Sequence, residues 1–238
     1  MTIGEMHAAF KLELDKSSAL ELPSFEPEEI DFWLNMAIRQ FVKTRYRGKT
    51  DGAGFEQITK RIEDLKTLVV EYTIVPTVGA SFVNKIPYWI ATLPANLDKW
   101  FTLGEEVTIS YTKLGDPLTT KTTKTQGVTE CTVDTYRSHM DDPYSEHRLH
   151  YEEAKPLRLV YQDTVELVTD GNYTITGYHL RYLKKPAKVD SLGDPVVISC
   201  DLPEHTHDEI VKSAVNMVLE NIEQPRYQSH TVELNKME

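Results

Sequence analysis

The spacing of apolar residues along the chain changes period twice, and each change marks a new class of element. Ile3, Met6, Phe10 and Leu14 recur every three or four residues, which predicts a helix within residues 2–16. The next ten residues lose that period and read as a connection. The clearest helix spans about 27–47, with Ile30, Leu34, Ala37, Ile38 and Phe41 on one stripe. Pro27 suits its first position. Glu28, Glu29 and Asp31 at the start and Lys43, Arg45 and Arg47 at the end oppose the helix macrodipole, and Gly48 is a natural stop. After a glycine-containing turn, Phe55, Ile58, Ile62, Leu65 and Leu68 predict a second amphipathic helix over about 54–68. So short a turn predicts a helical hairpin.

From Val69 the period shortens to two. Val107, Ile109 and Tyr111 alternate with Glu106, Thr108, Ser110 and Thr112, and Leu157, Leu159 and Tyr161 repeat the pattern. Asp170-Gly171 reads as a hairpin turn between strands at 164–169 and 173–183, with Gly177 as a candidate bulge. A last short strand is expected at 196–199. The Thr/Lys-rich stretch 114–126 reads as either a projecting β-arm or a loop, and 137–153 as a long loop or short helix. Helical spacing returns at about Leu202, with Ile210, Val211, Ala214, Val218 and Ile222 on one face. Two capping boxes are expected there, Asp201 with Glu204 and Thr206 with Glu209, and Pro225 ends the helix.

These elements predict an α+β fold: a helical bundle formed by the N- and C-terminal helices, with an inserted antiparallel β-sheet or barrel. The expected divisions are 1–68 for the first part of the bundle, 69–200 for the β-rich insert, 201–222 for the closing helix and 223–238 for a C-terminal tail.

Charge and composition narrow the function classes. The net charge of −11 over 238 residues argues against a surface that grips nucleic acid throughout. It suits solubility, and also the wall of a channel through which DNA slides without sticking. No apolar run approaches the roughly 20 residues that cross a bilayer, and residues 1–10 show no signal-peptide pattern. Cys131 and Cys200 read as small core hydrophobes of a reducing compartment.

Candidate chemistry is sparse. Gly48-Lys49-Thr50 resembles the end of a phosphate-binding loop, but Lys43 stands where that loop needs a glycine. His205 and His207 lack a third ligand nearby. Asp141, Asp142, Glu146, His147, His150 and Glu153 could hold a divalent cation if His147 and His150 shared a helical face; a solvated acidic loop has the same composition. Lys43, Arg45, Arg47 and Lys49 are read first as helix-end charge and second as phosphate contacts. Lys113, Lys121 and Lys124, interleaved with threonine, are candidate interface or DNA-backbone residues, or edge-strand guards. Arg226 and Tyr227 in the tail are candidate interface anchors. No catalytic residue, metal site or cofactor is assigned.

Two segments and an early helix carry a resemblance. Tyr178-His179-Leu180-Arg181-Tyr182-Leu183-Lys184-Lys185-Pro186 precedes Asp201-Leu202-Pro203-Glu204-His205-Thr206-His207-Asp208-Glu209-Ile210-Val211 and, beyond a helix, Gln224-Pro225-Arg226-Tyr227. With Phe32-Trp33-Leu34-Asn35-Met36-Ala37, these resemble virion neck proteins of short-tailed bacteriophages, nearest the ring or head-to-tail adaptor proteins of crAss-like gut phages. The resemblance covers about half the chain. It implies a non-enzymatic virion subunit, made in the host bacterial cytoplasm, that forms a ring of twelve copies beneath the portal. Its implied partners are its own copies, the portal protein, adjacent neck or tail proteins, and genomic DNA passing through the lumen without sequence-specific contact; no membrane is involved. The other readings are a different tail, muzzle or head-decorating subunit, and a metal-dependent enzyme centred on His147 and His150.

Overall fold

The computed structural model describes residues 1–17, 25–47, 59–79, 88–112, 121–150, 153–161, 164–193 and 197–222. In chain order they form α1 (Ile3–Ser17), α2 (Pro27–Arg47), α3 (Thr59–Leu65), β1 (Val69–Ile74), β2 (Thr77–Gly79), β3 (Tyr88–Thr92), β4 (Lys99–Thr112), β5 (Lys121–Gly127), β6 (Thr129–Glu130), α4 (Val133–Asp141), β7 (Leu157–Val160), β8 (Thr164–Val168), β9 (Thr174–Lys184) and α5 (His207–Asn221). The chain divides into a helical unit, Met1–Leu68 with Lys185–Glu238, and a β unit, Val69–Lys184. The α+β class expected from periodicity is the observed one.

In the helical unit α5 packs along both α1 and α2. Met6 and Phe10 from α1, Ile30, Leu34, Ala37 and Ile38 from α2, and Ile210, Val211, Ala214 and Val218 from α5 are buried. These are the stripes that the three-and-four spacing marks, except that Ile222, expected on the α5 face, lies just past the helix end and is exposed. Each large side chain removed from water stabilises the unit by roughly 1.5–3 kcal/mol. The helix starts differ from expectation. The capping box forms at α1, where Thr2 N–H donates to Glu5 Oε2 (2.7 Å) and Glu5 N–H to Thr2 Oγ1 (3.3 Å). The box expected between Thr206 and Glu209 does not form. Asp201 Oδ2 accepts from Ala187 N–H (3.4 Å), Thr206 Oγ1 donates to Pro203 O (2.8 Å), and Glu209 is held by Arg45. A 3-10 turn, Glu204–Thr206, leads into α5 instead.

The chain leaves the β unit at Lys184, and the following residues are fastened to α2. Asn35 and Asp31, one helical turn apart, grip the backbone at Val189 and Ser191. Ile198, in the segment expected as a last strand, makes an isolated bridge to Asp190 rather than joining a sheet.

Among the described residues the β unit contains two sheets and no closed barrel. One is antiparallel, in the order β1-β9-β4-β5; the other is mixed, in the order β2-β3-β8-β7-β6. β6 and β7 pair in parallel because the intervening segment, with α4, supplies the crossover that parallel strands require. The main core lies between the sheets: Ala91, Val165 and Leu167 from one side meet Val107, Ile109, Ile175, Tyr178 and Leu180 from the other. A second cluster, Tyr88, Cys131, Met140, Leu157, Leu159 and Val168, fills the space between α4 and the mixed sheet.

Gly171 takes a left-handed φ of 92°, so the turn at Asp170-Gly171 is present as expected. The hairpin is not. β8 lies in the mixed sheet and β9 in the antiparallel one, so the turn carries the chain across the core. The bulge expected at Gly177 is present: Thr108 pairs with Gly177 but Ile109 with Ile175, leaving Thr176 over.

Candidate assembly site

The four-stranded sheet presents a hydroxyl-rich face built by strand alternation. Val107, Ile109 and Tyr111 of β4 point to the core, which sends Glu106, Thr108, Ser110 and Thr112 to the opposite face. There a polar ladder crosses all four strands. His179 of β9 uses both ring nitrogens, Nδ1 to Thr73 Oγ1 of β1 (3.0 Å) and Nε2 to Thr108 Oγ1 of β4 (2.9 Å). Thr108 in turn meets Thr125 of β5 (3.4 Å). Arg181 sits between Glu71 (3.5 Å) and Glu106 (4.0 Å). All three are about half exposed, so these ion pairs contribute little stability and leave the charges available to a partner.

Of the Thr/Lys segment 114–126, residues 114–120 lie outside the described residues; the rest belongs to β5, paired along its length with β4 from Lys121 opposite Thr112 to Gly127 opposite Glu106. Lys121 is opposite the outward Thr112, and Lys124 opposite the core residue Ile109, so the two lysines leave the sheet on opposite faces. Lys113, Arg226 and Tyr227 lie outside the described residues, as does Gly48-Lys49-Thr50.

A cleft of about 180 Å³ opens where the two sheets meet, lined by Thr102, Gly104, Glu105, Val128, Glu130 and Arg158. Arg158 of β7 reaches across to Glu105 of β4 and also donates to Glu130 (2.7 Å). Burial raises the Glu105 carboxyl above the usual range, with Arg158 opposing it. Burial, reinforced by Glu105, pushes the Tyr178 phenol up strongly. The cluster ties the two sheets together.

The other sequence candidates have structural partners. His147 is buried; its Nδ1 meets Ser145 Oγ (3.0 Å), and its carbonyl accepts from Tyr173 Oη (3.3 Å). Glu146 accepts from Thr129 and Lys155, Arg137 pairs with Asp141 (3.1 Å), and Asp142 accepts from Tyr144 N–H (2.9 Å). Among the described residues no three His, Cys, Asp or Glu side chains converge as a metal site requires. The shared helical face for His147 and His150 does not form: Glu146–Arg148 is a single 3-10 turn that ends before His150.

Arg45 is not a surface phosphate ligand. It is buried, pairs with Asp64 (2.9 Å) and Glu209 (2.6 Å), and lies 4.8 Å from the Phe41 ring centroid. His205 meets Asp64 (2.9 Å), while His207 is buried against the Leu202 carbonyl (3.0 Å), so these histidines serve separate contacts. Cys131 is buried and Cys200 half-buried, both as free thiols. The sequence reading missed the His179 ladder, whose only sequence signal is polar residues alternating with the core positions of β4 and β9.

A family model described as phage tail ring protein 3/4, of crAss-like phages, matches residues 1–228. The chain belongs to that family. Ring-protein membership makes it a structural component of a phage tail and implies assembly into an oligomeric ring. Such a family is not normally enzymatic. No curated protein matches the chain. Among the described residues no helix is long and apolar enough to cross a membrane.

Proposed function

We propose that this ring protein is a head-tail connector subunit, forming a ring of twelve copies between the portal and the tail and extending the DNA channel. The family match across 1–228 carries the reading. The net charge of −11 supports a lumen that repels DNA enough to let it pass. The role is mechanical, with no catalytic step. The terminal helices form the body of the ring, the β insert supplies lateral or stacking contacts, and Arg226 and Tyr227 anchor the tail on a neighbour. Lys113, Lys121 and Lys124 are assigned to contacts with adjacent subunits.

Quantitative mass spectrometry of purified virions tests this reading. An abundance equal to the portal protein or a small multiple of it supports the connector. An excess of many-fold identifies a decorating subunit, and absence from virions overturns the reading.

A further inference from the structure

We infer that α2 carries a self-pairing surface, through which two copies of the free chain dock as an antiparallel, two-fold pair. The inference goes beyond the ring reading. A two-fold contact joins two copies and stops, so it is separate from the heterologous contacts that close a ring.

α2 is apolar on two faces. Ile30, Leu34, Ala37, Ile38 and Phe41 are buried within the helical unit. The opposite face of a surface helix is ordinarily polar. Here it holds Phe32, 56% exposed, and Met36, 39% exposed, one helical turn apart. Trp33 packs edge-on against Phe32, with 5.4 Å between ring centroids and 81° between planes, so the exposed ring is held in place before any partner arrives.

The charges that flank this pair say what covers it. Glu29 precedes Phe32 by three residues and Arg39 follows Met36 by three, so Glu29, Phe32, Met36 and Arg39 are spaced three, four and three along one stripe. That spacing is the seam of a two-helix contact. From N to C the seam runs acid, apolar, apolar, base, which is the complement of its own reverse. An antiparallel second copy sets Phe32 against Met36 and Glu29 against Arg39, each twice. A parallel copy would set Glu29 against Glu29 and Arg39 against Arg39. The next seam position, Lys43, falls beyond the start of the other helix at Pro27 and joins no layer.

Both flanking side chains are positioned by their own helix. Glu29 Oε2 accepts from Glu26 N–H (3.0 Å), and Arg39 Nε donates to Asn35 O (3.1 Å). Neither contact is an ion pair, so each charge can pair across the seam. The seam covers about 15 Å of helix, which is short, so the pair stands in a concentration-dependent equilibrium with monomer.

Sedimentation velocity of the purified full chain over a range of concentrations tests this. The parent chain should show a reversible monomer–dimer equilibrium. Glu29→Arg or Arg39→Glu alone turns both end layers into like-charge contacts and should weaken the dimer about tenfold or more. An equimolar mixture of the two variants should recover the dimer, because each charge then meets its opposite across the seam. That recovery also shows that both variants fold. Met36→Ser, which alters no charge, should weaken the pair as well. A parent chain that stays monomeric overturns the inference. So does association that neither reversal changes, or a mixture no more associated than its components. The isolated chain is measured, so each of these results leaves the virion-abundance test of the ring reading intact.

Discussion

Asn35 and Val189 hold each other by two hydrogen bonds of 2.8 Å, the side-chain amide donating to the Val189 carbonyl and the Val189 N–H donating to Asn35 Oδ1. The amide imitates a strand partner for a chain that has just left a sheet. One turn earlier, Asp31 Oδ2 accepts from Ser191 N–H (2.8 Å) and Oγ (2.6 Å), while its Oδ1 meets His7 Nε2 (2.7 Å). The pair fixes where the returning polypeptide enters the helical unit.

Asn35→Ala removes both bonds and leaves the backbone polar groups of a nearly buried residue unpaired. A loss of about 2–3 kcal/mol is expected, read as a lower urea midpoint with an unchanged slope. Asn35→Asp keeps the acceptor but loses the donor, and an intermediate loss is expected.

The buried charges around Arg45 predict a non-additive result. Arg45→Met leaves Asp64, whose side chain is 2% exposed, with only the His205 contact and beside Glu209, and should cost about 3–5 kcal/mol. Adding Asp64→Asn and Glu209→Gln to that variant should recover much of the loss. Additive costs in denaturant melts would show that the three do not act as one cluster.

His147 predicts the pH response of the β unit. Burial, followed by the adjacent Arg148 charge, lowers its pKa from the ordinary 6.5. The unfolded chain therefore binds the proton more readily than the fold does. The His147 contribution is fully present above pH 6.5 and is lost as pH falls through the lower folded value. Protection factors in β7–β9, corrected for the intrinsic pH dependence of exchange, should fall over that window, and His147→Gln should flatten the dependence relative to the parent chain.

Gly171 stands at φ 92°, so Gly171→Ala forces a side chain into left-handed backbone. A cost of about 1–2 kcal/mol is expected in thermal or urea unfolding. Gly171→Asn, which tolerates this conformation better, should lose less.

Removing Arg226–Glu238 should leave the melting temperature unchanged within error, because α5 and its buried face end before the deletion. Incorporation of the truncated chain into virions should fall sharply. Unchanged incorporation, measured against the portal protein by mass spectrometry, would remove the tail from the assembly contacts.

Local pattern determined much of this protein. The stripes of α1, α2 and α5 are buried where their spacing places them, the alternation in β4 and β9 sorts core from surface, and the turn at Gly171 and the bulge at Gly177 form where glycine permits them. These features depend on residues a few positions apart, whose interactions are settled by backbone geometry. Partner choice was not legible in the same way. The strands on either side of Gly171 joined different sheets, and Glu209 left its capping box for Arg45, 164 residues away in sequence. Lys121 and Lys124 separated onto opposite faces because pairing with β4 fixed β5 as a strand. Each outcome was decided by long-range burial and charge pairing, which outweigh a local preference of about 1 kcal/mol and are set only when distant segments meet.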